Sequence, residues 1–147
     1  MKCKINISSA HRIKNKKLIK TLVGACVDKE GCLAKSISII ITTDPHLLEI
    51  NKQFLKHNYH TDVITFELND KNKAIEGEIY ISSDRVKENA VLYKTSAENE
   101  LRRVVVHGVL HLCGFGDKTK KEKETMRQKE NYYLGLYDNN ISRETSK

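Results

Sequence analysis

The stretch VVVHGVLHLCGFGD, residues 104–117, carries the strongest structural signal in this chain. Up to Cys113 it is apolar except for two histidines and a glycine, which predicts a mostly buried helix. Thr95-Ser96-Ala97-Glu98 has the spacing of a capping box that opens this helix, and Gly114 can close it. The chemistry of the protein is therefore expected on this helix.

Two histidines in this stretch have the spacing of metal ligands. His107 and His111 are four residues apart, so their imidazoles project from one helix face about one turn apart. A tight turn through Gly114 and Gly116 can bring the Asp117 carboxylate back as a third ligand. The alternative is a pair of core histidines, but two buried imidazoles both need partners for their polar nitrogens. The pattern favours a metal site on a central His-x-x-x-His helix.

Gly108 argues against one use of such a metal. In the metallopeptidase pattern His-Glu-x-x-His, a glutamate general base directly follows the first histidine, and here that position is Gly108. Glycine costs about 1 kcal/mol of helix propensity against alanine, so it suggests that a neighbouring strand or a substrate approaches the helix backbone closely. The glycine at position 108 therefore disfavours peptide hydrolysis as the chemistry of this site.

Composition limits the class of protein. A chain of 147 residues fits one domain. It has 26 Lys and Arg against 19 Asp and Glu, a net charge of +7, which favours a polyanionic partner such as RNA or DNA over a merely soluble basic protein. The N-terminal residues lack the apolar core of a signal peptide, and no stretch is long and apolar enough to span a membrane, so we expect a cytoplasmic protein without a membrane association.

The four cysteines are expected to be reduced, small apolar side chains. They are Cys3, Cys26, Cys32 and Cys113, and no two form a Cys-x-x-Cys pair. A zinc ribbon or a thioredoxin-type site is therefore not supported. Cys113 is the alternative metal ligand.

Hydrophobic periodicity predicts an α+β chain. The predicted elements are a strand at residues 3–7, a helix from Asn15, a strand at 37–43, a helix beginning at Asp44-Pro45 with Leu47, Ile50 and Phe54 facing inward, strands at 61–66 and 78–81, a helix capped by Ser83, the histidine helix, and a helix opened by the capping box Thr119–Glu122 and ending near Leu136.

The order of these elements predicts the sheet. Helical crossovers favour parallel pairing among the first three strands, and the polar loop at residues 69–73 adds the fourth strand as an antiparallel hairpin. We therefore expect a single α+β domain over residues 1–147, with a mixed four-stranded sheet and a frayed polar tail at 138–147.

Three blocks of this sequence, in order, resemble the YbeY family of metal-dependent endoribonucleases. Residues 107–115, HGVLHLCGF, are similar to the family's His-Gly-x-Leu-His-Leu-x-Gly-Tyr signature. Residues 50–54 and 61–66, INKQF and TDVITF, resemble its Leu-Asn … Thr-Asp-Val-Leu-Ser-Phe segment, and residues 77–82, GEIYIS, resemble its Gly-Asp-Ile-x-Ile-Ser strand. Together the blocks cover the chain from about Ile37 to Glu124.

The resemblance implies a zincin-like fold, one zinc ion, and hydrolytic cleavage of single-stranded RNA in ribosome biogenesis, at the 3′ end of 16S ribosomal RNA. It also implies ribosomal RNA and the small ribosomal subunit as partners, together with ribosomal proteins or ribosome-associated factors. Bound zinc would supply an activated water without a dedicated base, which fits the glycine at position 108.

The sequence departs from the family pattern at two positions. The family motif continues Tyr-Asp-His, and ungapped counting places Asp117 where the third histidine stands, so that the ligands become His107, His111 and Asp117. A shift of one residue would instead match Asp117 to the family's aspartate and leave two ligands. The family's arginine near the site falls on Leu55, with Lys56 or His57 as a substitute positive charge.

Four further residues are candidates for RNA contacts or for support of the ligands. Lys56 and Arg103 could neutralise RNA phosphates, although a charged helix face is more often simply solvated. Glu100, two turns before His107, could accept a hydrogen bond from that imidazole, or could equally be an exposed helix charge. Thr61 could line the cleft, or could equally cap a turn.

Two rival functions stay open from the sequence. The first is a metallopeptidase of the same fold, which Gly108 disfavours. The second is a non-catalytic RNA-binding ribosome-assembly factor with a structural metal. A structural zinc is normally closed by four protein ligands, and three are apparent here.

Overall fold

The computed structural model of the protein describes residues 3–9, 12–55, 63–68 and 74–145, without the side chains of residues 55 and 137–145. Within these ranges the chain forms strands and helices in the order β1 (Lys4–Ser9), α1 (Lys16–Lys29), β2 (Ala34–Thr42), α2 (Asp44–Leu55), β3 (Val63–Glu67), β4 (Ile75–Ser82), α3 (Ser83–Leu92), α4 (Ala97–Leu112) and α5 (Lys120–Thr145). The predicted element order is confirmed.

The strands form one mixed sheet in the order β1-β2-β4-β3. β2 pairs in parallel with both β1 and β4, and β3 pairs with β4 in antiparallel register, Thr65 opposite Ile79. The predicted α+β class with a mixed four-stranded sheet is confirmed, but parallel pairing of the third strand is wrong. The connection through α2 carries the chain past the place of β4 to the sheet edge, where β3 takes its direction from pairing with β4. The predicted hairpin loop at 69–73 lies outside the described residues.

The two faces of the sheet carry different cores because side chains alternate along each strand. Isoleucines of β2 and β4 pack with α1, α4 and α5 in the main core, which contains Ile37, Ile39, Ile79, Val105 and Tyr133. Leu47 and Ile50 of α2 pack with Ile64 of β3 in a smaller cluster, with Phe66 and Tyr80 against it. The histidine helix α4 is thus held on the larger core.

Two glycines bring α4 unusually close to β4. A Cβ atom at Gly108 would lie 2.8 Å from Cγ2 of Ile79, and one at Gly77 would lie 2.6 Å from Cδ1 of Leu112. Neither position has room for a side chain. Of the two neighbours that Gly108 suggested, a strand or a substrate, the structure shows the strand.

The predicted N-terminal cap of α5 is observed, whereas the caps of α3 and α4 lie one residue away from their predicted positions. Thr119 and Glu122 form the predicted capping box: the Glu122 backbone N–H donates to Thr119 Oγ1 at 3.1 Å, and the Thr119 N–H donates to Glu122 Oε1 at 2.9 Å. Ser82 caps α3 in place of Ser83, and Ser96 caps α4 by accepting from the Asn99 N–H at 3.0 Å. Asn99 takes the place expected for Glu98 because the cap lies one residue later than Thr95.

Two details of the helices were predicted wrongly. α5 continues to Thr145, past the expected end near Leu136, because no glycine or proline follows Gly135 to stop it. Phe54 of α2 is 65% exposed and packs edge-on against Phe66 at 6.0 Å between ring centroids. It was expected to face inward, but it lies on the last turn of α2, beyond the buried Leu47 and Ile50.

The cysteines differ from the expectation. Cys32, before β2, is joined to Cys113, at the end of α4, with Cα atoms 5.9 Å apart. The prediction of four reduced thiols is wrong for this pair, because sequence spacing does not reveal that the two connections meet in the fold. Cys3 and Cys26 are free, and burial, with nearby Glu30, raises the pKa of the Cys26 thiol to about 12. Cys26 is therefore a core side chain without thiolate reactivity.

Across the described ranges, none of the helices combines the length and the apolar character needed to cross a lipid bilayer.

Candidate metal centre

The two histidines and Asp117 meet at the C-terminal end of α4. The Nε2 atoms of His107 and His111 lie 2.9 Å apart. Oδ2 of Asp117, in the connection between α4 and α5, lies 3.3 Å from each of them. Among the described residues, the ligand atoms of these three side chains lie close enough together to hold one metal ion. The structure thus brings together the three residues that the sequence singled out.

The spacing of the three donor atoms fits a tetrahedral metal ion. Bonds of about 2.0–2.1 Å around such an ion place neighbouring donors roughly 3.3 Å apart. The distances here are 2.9, 3.3 and 3.3 Å. Two imidazole nitrogens and one carboxylate oxygen are also the donor types that zinc and other first-row metals accept.

The hydrogen bonds of the two Nδ1 atoms determine which nitrogen of each histidine is free to bind a metal ion. Nδ1 of His107 lies 2.8 Å from Oε2 of Glu130, and Nδ1 of His111 lies 2.8 Å from the carbonyl oxygen of Phe115. Carboxylate and carbonyl oxygens only accept hydrogen bonds, so each Nδ1 carries the proton and donates. Both Nε2 atoms then present lone pairs to the centre, where a cation removes the repulsion between them.

The turn after α4 delivers Asp117 to the histidines. Gly114 has φ 102°, a left-handed conformation that glycine adopts without strain. The Phe115 N–H donates to the carbonyl of Leu110 at 3.0 Å, and the Gly114 N–H donates to that of His111. These bonds close the helix end in the manner of a Schellman turn and reverse the chain. The same turn aims the Phe115 carbonyl at the His111 ring.

The remaining candidate residues are placed differently. Glu100 is buried, with Oε1 3.8 Å from Nε of Arg103, and the predicted hydrogen bond from His107 goes to Glu130 instead. Glu130 reaches Nδ1 of His107 because α5 packs beside this histidine. Cys113 is joined to Cys32 and does not belong to the cluster. Lys56 and Thr61 lie outside the described residues, and so does His57.

Sequence reasoning missed Glu130, although the chain carries a signal for it. The buried side chains of α5 include Met126, Glu130, Tyr133 and Leu134, at helical spacing on one face. Glu130 is the charged member of this apolar stripe. A charged side chain at such a position needs a partner inside the protein, and His107 and Arg103 provide it.

The centre is open to solvent on one side. The side chain of Asp117 is 41% exposed, and those of His107 and His111 are 22% and 24% exposed. Exposed lysines follow directly at positions 118, 120 and 121. A ligand can reach the three donor atoms, and an anionic ligand meets positive charge beside them.

Comparison with known proteins places this geometry in a family. The family model described as Endoribonuclease YbeY matches residues 2–138. A protein named Endoribonuclease YbeY from Cytophaga hutchinsonii is 43% identical over 126 residues, covering 86% of this chain and 88% of the relative. One of the same name from Chloroherpeton thalassium is 47% identical over 116 residues, covering 79% and 82%.

A solved structure has the same fold. The solution structure of TM1509 from Thermotoga maritima aligns with a TM-score of 0.65 at 30% sequence identity. The alignment covers 95% of this chain and 93% of that one. The fold is therefore shared over nearly the whole length of both chains.

Proposed function

Since the chain belongs to the YbeY family, we propose that it is a metal-dependent endoribonuclease that cleaves single-stranded RNA with zinc held by His107, His111 and Asp117. The observation that carries the proposal is the convergence of three donor atoms on one point at spacings of 2.9–3.3 Å, with one side open to solvent. Zinc suits two imidazoles, and nickel or another first-row ion fits the same donors.

The residues of the chain divide the work at this site. When bound in such a site, zinc lowers the pKa of a coordinated water to about 7 and polarises a phosphoryl oxygen. Glu130 and the Phe115 carbonyl hold the two imidazoles with Nε2 directed inward. The lysines after Asp117 place positive charge where an RNA backbone would approach. The position of the peptidase base is occupied by Gly108, against Ile79, so no carboxylate on α4 can serve peptide hydrolysis there.

The substrate we propose is the precursor of small-subunit ribosomal RNA, cleaved near the 3′ end of 16S RNA during ribosome biogenesis in the cytoplasm. The family supports this assignment, and so does the net charge of +7, which suits an RNA-rich partner. Ribosomal proteins or ribosome-associated factors would present the RNA end.

The test is cleavage of a labelled single-stranded RNA and of the same sequence as a duplex by metal-reconstituted protein. We expect cleavage of the single strand alone, and its loss in His111→Ala with the metal content measured beside it. His46→Ala is the matched control, because His46 is exposed on α2 away from the cluster. Cleavage that survives in His111→Ala, or cleavage of an unstructured protein substrate that depends on His111, would refute the nuclease assignment.

A further inference from the structure

Glu130 divides its carboxylate between two residues of α4. Oε2 lies 2.8 Å from Nδ1 of His107, and Oε1 accepts from Nη1 of Arg103 at 3.0 Å. The residue is 7% exposed. We propose that Glu130 and Arg103 are positioning residues of the metal centre: Glu130 sets the orientation and the tautomer of His107, and Arg103 holds Glu130 in place. The inference rests on metal binding by the proposed site.

Glu130 acts on the far side of the imidazole from the metal position. Its contact is with Nδ1, whereas Nε2 of His107 faces His111 and Asp117. A neutral imidazole carries one N–H, and an acceptor at Nδ1 keeps it there. With the proton on Nε2 instead, the ring's lone pair would lie on Nδ1, on the side away from the metal position. The buried carboxylate therefore prepares His107 for binding before the metal arrives.

Arg103 is committed to this network by three contacts. Nη1 donates to Glu130 at 3.0 Å, Nη2 donates to Oδ1 of Asn131 at 3.1 Å, and Nε lies 3.8 Å from Oε1 of Glu100. The planar guanidinium thus spans two successive residues of α5, which the single ammonium of a lysine cannot do in the same way. We therefore assign Arg103 to fixing α5 against α4, in place of the RNA contact that the sequence left open.

Zinc affinity measured by competition with a chromophoric chelator tests the role of Glu130. We expect Glu130→Ala to weaken zinc binding about 10- to 100-fold. Glu130→Gln should weaken zinc binding less than Glu130→Ala does, because the glutamine amide oxygen can still accept a hydrogen bond from one of the two donors, His107 or Arg103. The matched control is Glu30→Gln, since the Glu30 carboxylate also fastens α5, through Lys129 at 3.0 Å, without touching a histidine of the cluster. Unchanged affinity in Glu130→Ala, or an equal loss in Glu30→Gln, would overturn the proposal.

Ring nitrogen NMR of the metal-free protein at pH 8 separates positioning from mere helix docking. We expect His107 in the Nδ1–H tautomer in the wild type and in Glu30→Gln, and a shift toward Nε2–H in Glu130→Ala. A purely structural role for Glu130 would leave the tautomer unmoved. Wild-type protein with the proton on Nε2 of His107 would contradict the assignment.

Arg103→Met distinguishes positioning from RNA binding. We expect weaker zinc binding and an unchanged salt dependence of RNA affinity. An RNA-contact role predicts the reverse: unchanged zinc affinity, and a salt slope smaller by about 1. Because the zinc titrations need no RNA, wild-type protein that never cleaves RNA would sink the proposed nuclease function while the positioning assignment stood on its own readout.

Discussion

Gly108 of α4 presents its bare Cα to Ile79 of β4, so closely that a Cβ atom would lie 2.8 Å from Cγ2 of that isoleucine. Ile79 is fully buried, so other core side chains surround it. The helix that carries the two histidines can therefore lie this close to β4 because position 108 has no side chain.

Gly108→Ala should destabilise the fold. The overpacked methyl costs about 1–3 kcal/mol, and only about 1 kcal/mol of helix propensity offsets it, so we expect a net loss on the order of 1 kcal/mol in urea unfolding. Gly135→Ala is the control, because Gly135 also lies in a helix but a Cβ there meets nothing within 4 Å. That variant should gain stability. If Gly108→Ala gained as well, the close contact would have no energetic weight.

Asp117 should be a true ligand. Removing one of three donors in Asp117→Ala should weaken zinc binding by more than the roughly 100-fold limit for residues that only support a ligand. Asp117→His, which installs the residue of the family motif, should retain binding. Elemental analysis and chelator competition give both values. Full metal content in Asp117→Ala would show that the aspartate merely lies nearby.

Glu30 should make stability depend on pH. Burial alone would raise the pKa of its carboxyl, but hydrogen bonds from Tyr133 and Lys129 and the charge of Lys129 lower it below its ordinary 4.5. A lowered folded-state pKa gives stability that is present above about 4.5 and is lost as the pH falls through the lowered value.

Urea midpoints from pH 7 down to pH 3 measure this effect. Glu30→Gln should be less stable than the wild type at pH 7, and the difference should shrink below pH 4.5. Glu124→Gln, at an exposed position of α5, should follow the wild-type curve. A gap between Glu30→Gln and wild type that does not change with pH would mean that the carboxylate charge is unimportant.

Oxidation should stabilise the protein through Cys32 and Cys113. The bond closes a loop with a sequence separation of 81 residues, for which chain entropy gives roughly 4.5 kcal/mol. The difference between oxidised and reduced protein in urea should vanish in Cys32→Ser and persist in Cys3→Ser. Alkylation followed by mass spectrometry reports the thiols directly; alkylation of Cys32 and Cys113 themselves after treatment with a disulfide oxidant would exclude the bond.

Local patterns predicted the parts of the site that are close in sequence. The four-residue spacing of His107 and His111 and the glycines before Asp117 place all three within 11 residues of chain, where helix geometry and one turn determine the distances. The strands followed in the same way from β-branched alternation, as in Ile37 to Ile41.

What depends on tertiary packing was not predictable from such patterns. Glu130 lies 23 residues from His107 and meets it only because α5 packs on α4. Glu100, at the right helical spacing, was the better local choice, but the carboxylate at Nδ1 of His107 belongs to Glu130. The direction of β3 depends likewise on pairing with β4, which no periodicity within residues 63–67 encodes.

The glycines at 77 and 108, one on β4 and one on α4, bear on the transfer of the histidine motif to another protein. The missing side chain of Gly77 leaves space for Leu112 of the helix, and the missing side chain of Gly108 leaves space for Ile79 of the sheet. Grafting the histidine pair alone onto a foreign scaffold would leave its elevation over the sheet undetermined. A design that also copies both glycines and the side chains that pack against them should reproduce the orientation of the two imidazoles as well as their identities.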